Sequence, residues 1–170
     1  MYRAISLLMT MAALTLLPAC LSRTPAAKMF ALPAEGAAVA PEQRGRFALR
    51  LPAYLQRTEM RLFEAASGEV KPCAGGLWAA PLQELLTDAL DACLPNGTGT
   101  VVCASFAPDF GGQFRARGHF AIKRDGGAET AGDFDFTLPP PAGLPHLSPA
   151  ALARQYADAV RHLATIMAQD

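Results

Sequence analysis

The chain has 170 residues, 51% of them hydrophobic, and its 15 Lys and Arg residues balance its 15 Asp and Glu residues. A chain without net charge has no electrostatic attraction for the phosphate backbone, which excludes general nucleic-acid binding. The length suffices for one small domain with a single hydrophobic core.

The first twenty residues have the pattern of a bacterial lipoprotein signal. Arg3 supplies a positive charge, and the apolar run from Ile5 to Leu17 is too short to span a bilayer comfortably. The sequence Leu17-Pro-Ala-Cys20 then resembles a lipobox, in which the cysteine is diacylated and becomes the new N-terminus. An ordinary secretory signal with an incidental cysteine is the alternative. Because Leu21 is not aspartate, the enterobacterial sorting rule favours an anchor in the outer membrane, with the domain facing the periplasm.

This pattern divides the chain into three regions: a signal peptide over residues 1–19, the lipidated cysteine with a flexible tether over residues 20–45, and a domain over residues 46–170. Residues 21–45 are rich in Ala and Pro and have little periodicity, which is typical of a tether. Removing the signal takes away one basic residue, Arg3, and no acidic residue, so the mature chain stays close to neutral.

The domain begins with short strands. Residues 46–51 alternate polar and apolar side chains, which predicts a strand that Pro52 ends. Residues 59–63 form a second strand candidate, and residues 69–71 form a third that would pair with it across the turn at residues 66–68.

A helix is predicted after these strands. Its apolar face carries residues that recur with the period of an α-helix: Trp78, Leu82, Leu85, Leu86, Ala89, Leu90 and Cys93. Pro81 is placed in the first turn, where its missing N–H costs nothing, and Pro95 and Gly97 end the helix. Trp78 is predicted to be a core residue rather than a ligand-stacking one, and Leu86→Ala is expected to cost about 2–5 kcal/mol of stability.

Three further strands follow, over residues 100–106, 113–123 and 133–138. The last two alternate strictly, and turn residues at 124–127 separate them. A hairpin that pairs Ile122 with Phe134 and Phe120 with Phe136 would keep these four side chains on one face. It would also set Lys123 opposite Asp133.

The C-terminal helix begins at Ser148, as the N-cap, and Pro149, as the first helical residue. Its apolar stripe comprises Leu152, Tyr156, Val160, Leu163 and Met167. Two amphipathic helices and five or six mainly antiparallel strands predict a single small α+β domain, in which one sheet carries both helices on one face.

Three cysteines remain after Cys20. Cys93 ends the first helix and Cys103 lies in the next apolar run, across a turn-like segment, so a Cys93–Cys103 disulfide is the preferred pairing in an oxidising compartment. Three unpaired buried thiols are the alternative. No spacing typical of a metal site and no catalytic motif occurs, which argues against an enzyme. The basic side chains Arg115, Arg117 and Lys123 share one strand face, which indicates either a solvated face or a surface for phospholipid headgroups or an acidic partner.

Several elements carry a family resemblance when taken in order. An aromatic-x-Leu-Pro element at residues 30–33 precedes the first strand, and an alanine-rich helix from Ser148 to Gln169 closes the domain. A Leu-Pro-x-Tyr-Leu-x-Arg motif follows the first strand, and a Trp-Ala-x-Pro-Leu motif opens the first helix. The residues of these two motifs and of the helix turn after them are Leu51, Pro52, Tyr54, Leu55, Arg57, Trp78, Pro81, Leu82, Leu85 and Leu86. In this order the elements resemble the ABC-type transport auxiliary lipoproteins, the family of paraquat-inducible protein C. The chain departs from the family at Ala80, usually acidic, and in the segment 71–76 with its Cys73.

The resemblance implies a role without catalysis or cofactor. Family members are lipid-anchored periplasmic components that associate with an ABC permease and ATPase and with mammalian-cell-entry (MCE) domain proteins, in systems that move phospholipids between membranes. On this basis the expected partners are those proteins and the membrane that holds the anchor; a direct phospholipid contact and a homo-oligomer stay open. Two other functions also stay open, an assembly or pilot factor for an outer-membrane complex and a binder of small apolar ligands. A pocket large enough for an acyl chain would favour the binder, whereas a filled core with an external apolar groove would favour docking.

Overall fold

The computed structural model describes residues 27–33, 40–64, 66–124, 126–143 and 147–169. The predicted signal peptide and Cys20 lie outside the described residues. Seven strands and two α-helices are found in the described part of the chain. They are β1 (Lys28–Phe30), β2 (Arg46–Arg50), β3 (Glu59–Glu64), β4 (Glu69–Trp78), α1 (Leu82–Cys93), β5 (Gly97–Pro108), β6 (Phe114–Arg124), β7 (Glu129–Leu138) and α2 (Pro149–Gln169).

The α+β class is confirmed, and the strands divide between two sheets. One sheet has the order β1-β4-β3 and the other the order β2-β5-β6-β7. The pairs β1–β4 and β2–β5 are parallel, whereas all other pairs are antiparallel. Helix α1 packs on β2 and on α2, and α2 also contacts β4, β6 and β7. Sequence analysis predicts a single sheet because parallel partners lie far apart in the chain and have no hairpin turn to reveal them.

Aromatic rings fill the centre of the core, and Trp78, which was predicted to be a core residue, is one of them. The Trp78 and Tyr156 rings meet edge to face with centroids 5.3 Å apart, and Phe114 meets Tyr156 in the same way at 5.0 Å. Such pairs stabilise a core beyond the burial of their area. Trp78 is only 2% exposed, so it is a core residue. It lies at the end of β4, and Pro81 is the N-cap of α1 rather than part of its first turn.

Helix α2 begins as predicted. The Ser148 hydroxyl accepts a hydrogen bond from the Ala151 N–H at 3.2 Å, so Ser148 caps the helix and Pro149 is its first residue. The predicted apolar stripe from Leu152 to Met167 is buried throughout.

Strand β4 is longer than the predicted third strand, and its pairing with β3 is interrupted by a shift in register. Its partner β3 shifts register between Glu59 and Arg61, where Leu77 and Pro72 are the respective opposite residues. The extra β4 residues bring Gly76 against Pro149: a Cβ at Gly76 would lie 2.9 Å from that ring. Only glycine fits at this contact between β4 and the start of α2.

The predicted register of the β6–β7 hairpin is wrong. Phe134 lies opposite Gly118, Phe136 opposite Ala116, and Lys123 opposite Glu129 instead of Asp133. The turn is tighter than predicted because Gly126 takes a positive φ of 73° and β7 begins at Glu129. The slip is an even number of residues, so the alternation that predicts the faces cannot reveal it.

Part of the predicted tether belongs to the folded domain. Residues 28–30 form β1, which pairs in parallel with residues 76–78, and the Ala79 N–H donates to the Phe30 carbonyl at 2.8 Å. A strand of three residues is too short to show a period in the sequence.

The predicted Cys93–Cys103 disulfide is absent. Cys73, Cys93 and Cys103 are free thiols, the first and last buried and Cys93 exposed. The Gly97 N–H donates to the Leu94 carbonyl at 3.3 Å, which keeps Cys93 beside the start of β5. Cys103 lies six residues farther along this extended strand, roughly 20 Å from Gly97 at about 3.3 Å per residue, so it is too far from Cys93 for a disulfide. Burial raises the pKa of the Cys103 thiol to about 12. The Cys73 thiol donates to the Leu147 carbonyl at 3.2 Å.

The free edge of β2 is closed by Asp91 of α1. The Asp91 carboxylate accepts the Phe47 N–H at 2.8 Å, and its main-chain carbonyl accepts the Gly45 N–H at 2.9 Å. Burial raises the pKa of Asp91, and the hydrogen bond from Phe47 partly opposes that shift. One residue thus satisfies the Phe47 amide of β2 and the amide of Gly45, which directly precedes the strand.

Replacement of Asp91 tests this contact. Asp91→Ala is expected to lower the free energy of unfolding by about 1–3 kcal/mol because the Phe47 N–H loses its acceptor. Asp91→Asn keeps an acceptor oxygen and should lose much less.

Since the native pKa of Asp91 is raised, the native protein holds this proton more tightly than the unfolded chain, and the ionised carboxylate costs stability as pH rises. As pH rises from the unfolded pKa of about 3.8 to the higher native pKa, the free energy of unfolding of the wild type should therefore fall relative to that of the Asn variant. Urea unfolding at several pH values measures this difference. Equal losses in both variants would contradict the assigned hydrogen bond.

Candidate functional site

The described residues contain no group of His, Cys, Asp or Glu side chains that could hold a metal ion. None of the helices in the described part of the chain is long and apolar enough to cross a membrane. The residues that carry the family resemblance divide between the core and the surface.

Most of these motif residues are structural. Leu51, Leu55, Trp78, Leu82 and Leu86 are buried in one core. Tyr54 is half-buried and its ring stacks on that of Phe63 at 4.7 Å between centroids. Pro52, which is half-buried, is the N-cap of a short 3-10 helix over Ala53–Leu55, and the Gln56 side chain closes this turn by donating to the Leu51 carbonyl at 3.0 Å. Arg57 and Pro81 are exposed. The two motifs therefore fix the chain around the end of β2 and the start of α1.

Leu85 is the motif residue that leads to a surface. It is half-buried and lines an open groove between α1, α2 and the segment after β1, with a volume of about 310 Å³. We call this the helix groove. It is lined by Ala31, Leu32, Pro33, Arg44, Leu85, Asp88, Ala89, Ala92, Cys93, Ala157, Val160 and Arg161.

The helix groove forms because small side chains leave unfilled space between the two helices at their outer surface. Ala89 and Ala92 on α1 face Ala157 on α2, so alanines line the space between the helices. The apolar stripe of α1 is wider than the core requires: Leu82, Leu86 and Leu90 are buried, while Leu85 and Ala89 are only half-buried. The part of the stripe that the core does not cover becomes the wall of the groove.

Charged groups lie at the rim of the helix groove. Arg44, Asp88 and Arg161 contribute to its lining, and Arg161 forms an ion pair with Asp158 one turn before it on α2. Cys93 lies at the end of α1 and is exposed as a residue, but the surrounding groove partly desolvates its thiol and raises the pKa of that group, a shift that the charge of Arg161 partly opposes. An apolar centre within a charged rim is the usual composition of a protein-binding surface.

The basic strand face predicted from Arg115, Arg117 and Lys123 is exposed, but acidic side chains oppose it. Arg117 lies opposite Asp135, with 3.9 Å between the charged groups, and Lys123 lies opposite Glu129. Arg115 is 4.0 Å from Asp109. These exposed acidic side chains reduce the positive potential of the face, which favours a solvated surface over a site for phospholipid headgroups.

Residues 30–33 and Leu85 belong to the family motifs, but nothing in the sequence indicates that residues 31–33 and Leu85 line the same groove. Ala89 belongs to the apolar face predicted for the first helix, whereas Ala92 and Ala157 carry no signal of their own, because alanine is common in helices of any environment. Only the parallel pairing of β1 with β4 brings residues 31–33 beside α1.

Comparisons with known proteins support the fold alone. No family model and no curated protein matches the chain. The crystal structure of a protein described as uncharacterized is similar, with a TM-score of 0.57 and 17% identity, over 82% of this chain and 97% of that chain. A crystal structure from Xanthomonas campestris, of the family designated DUF330, is similar with a TM-score of 0.55 and 13% identity, over 83% of this chain and 92% of that chain. The chain thus shares the fold of these two proteins across nearly their whole length.

Proposed function

We propose that this chain is a lipoprotein of the bacterial envelope, anchored through Cys20 in the outer membrane and facing the periplasm. Its role is that of a non-catalytic auxiliary component of an ABC transporter that works with MCE-domain proteins in the movement of phospholipids between membranes. The lipobox and the order of the motifs support membership of the ABC-type transport auxiliary lipoproteins. The helix groove is the surface by which the domain docks on its partner.

The observation that carries the docking role is a filled core beside an open apolar groove. Trp78, Tyr156 and Phe114 occupy the space between the sheets and helices, and each is at most 2% exposed. The groove, at about 310 Å³, is at the lower end of ligand pockets, which hold roughly 300–1,000 Å³ and enclose most of the ligand surface. A protein that sequesters apolar ligands needs an enclosed cavity, so docking is better supported than ligand storage.

An assembly factor for an outer-membrane complex is the second candidate, because the same groove would serve it equally well. The two functions differ in the partner that the groove receives. Identification of the partner therefore decides between them.

The test is affinity purification of the full chain, tagged at its C-terminus, from the native host in mild detergent, with mass spectrometry of the retained proteins. Recovery of an MCE-domain protein with its permease and ATPase is the expected result. Recovery of a β-barrel or a secretin in their place would establish the assembly role and overturn the transport role.

A paired substitution tests the helix groove in the same experiment. Ala92→Glu places a carboxylate in the apolar centre of the groove and should reduce partner recovery about tenfold, the effect of about 1.4 kcal/mol. The matched control is Ala48→Glu, on the exposed face of β2, which should leave recovery unchanged. If both variants retain the partner fully, the groove is not the contact surface.

A further inference from the structure

The outer edge of β7 is long, regular and unpaired among the described strands. β7 has 10 residues without proline, and its register with β6 runs without a bulge. β7 ends the order of the larger sheet, so its outer N–H and C=O groups have no strand partner in the described part of the chain. At the opposite end of this sheet, the Asp91 carboxylate accepts the Phe47 N–H at the edge of β2.

The two faces of β7 differ in chemistry. Glu129, Asp133 and Asp135 point to solvent at alternating positions, while Phe134 is buried on the other face. Phe136 and Leu138 follow on that inner face and are only half-buried. A strand added beside β7 would cover the exposed part of both side chains.

A second copy of this chain is a poor occupant of the edge. If two β7 strands paired antiparallel with matching faces, each register that overlaps most of the strand would set carboxylates against each other. Depending on the register, Glu129 faces Asp135, Asp133 faces Asp135, or one Asp faces its own copy. Like charges directly opposite each other destabilise a strand pair, so the acidic pattern opposes self-association.

The same pattern favours a basic strand. The ion pair from Arg117 to Asp135 joins side chains that are each 74% exposed, so it is weak and leaves carboxylate oxygens available on the outer side. Lys or Arg side chains at every second position of an added strand would lie opposite Glu129, Asp133 and Asp135. Apolar side chains at the intervening positions would cover Phe136 and Leu138.

We propose that the β7 edge binds an extended segment of a partner protein as an additional strand, with basic and apolar residues in alternation. The strand amides supply affinity through main-chain hydrogen bonds, and the alternating acidic side chains supply specificity. This inference goes beyond the proposed transport role and does not depend on the helix groove or on the lipid anchor.

The test uses the full chain in detergent and three synthetic peptides: one of ten residues that alternates lysine and valine, one that alternates glutamate and valine, and a lysine–valine peptide with two central valines replaced by proline. Fluorescence anisotropy measures binding, and amide hydrogen exchange locates it. The lysine–valine peptide should bind at least about tenfold more tightly than the other two, a difference of about 1.4 kcal/mol. It should also slow exchange along residues 129–138.

The double variant Asp133→Lys, Asp135→Lys should reverse the preference and bind the glutamate–valine peptide more tightly, because both positions are exposed and the backbone edge is unchanged. Equal binding of the lysine peptides with and without proline would reduce the effect to nonspecific charge attraction and overturn the proposal. Protection of another strand in place of β7 would overturn it as well.

Discussion

Leu86→Ala is expected to lower the free energy of unfolding by about 2–5 kcal/mol. Leu86 is 0% exposed and lies on the inner face of α1, between Leu82 and Leu90. Its removal deletes buried methyl groups and leaves a cavity between the helix and the sheet, which neighbouring side chains fill only in part. Urea unfolding followed by circular dichroism measures the loss.

The adjacent Leu85 provides a matched control with the same chemistry and helix propensity. Leu85 is half-buried and faces the helix groove. Leu85→Ala should therefore cost less than about 1.5 kcal/mol, since a half-exposed leucine loses only part of its transfer free energy. Equal losses at the two positions would place both leucines in the same environment and contradict the orientation of α1.

Cys20→Ala is expected to move the protein from the membrane fraction to the soluble periplasmic fraction. Each buried methylene of an acyl chain contributes about 0.8 kcal/mol, so several chains hold the protein stably and their loss releases it. The measurement is fractionation of the native host followed by immunoblotting.

Cys93→Ala is the control for the anchor, because Cys93 is the exposed free thiol of the described residues. This variant should remain with the membrane. If Cys20→Ala also remains there, an interaction other than the lipid anchors the protein, and the proposed lipobox loses its main consequence.

Local signals predicted the helices and the central core well. The Ser148–Pro149 pair predicts the start of α2 because a side-chain cap and a fixed proline φ act within one turn. The burial of Trp78 and of the stripe from Leu152 to Met167 follows from the helical spacing of apolar side chains, because residues at that spacing share one face. In each case the physical cause lies within a few residues of its effect.

The pairings between strands that are distant in the chain could not be predicted from the sequence. β1 and β2 pair in parallel with strands about 50 residues away, and no turn links them. The β6–β7 register depends on the turn at Gly126, which the even alternation of both strands conceals. The prediction of a Cys93–Cys103 disulfide was wrong for a related reason. The two cysteines are close in sequence, but β5 is extended and carries Cys103 away from the end of α1.

The helix groove was predictable only in part. Leu85 followed from the motif, but its role did not, because the same motif supplies Leu86 to the core. The walls come from three distant segments that meet only in the folded chain. A surface assembled in this way has no continuous signature in the sequence, so only its individual residues could be named beforehand.

Strand β1 also limits how far the domain could stand from the proposed anchor at Cys20. With a tether that reached residue 45, a lipid on Cys20 would allow a height of about 90 Å at full extension. Because β1 starts at Lys28, only the seven residues between Cys20 and Lys28 remain for this span, and the eight Cα-to-Cα steps from Cys20 to Lys28 cover at most about 26–29 Å. Residues 31–33, which wall the helix groove, follow β1 directly. If Cys20 carries the proposed lipid, any partner that enters the groove would therefore come close to the bilayer surface, and a long periplasmic assembly would meet this protein at its membrane-proximal end.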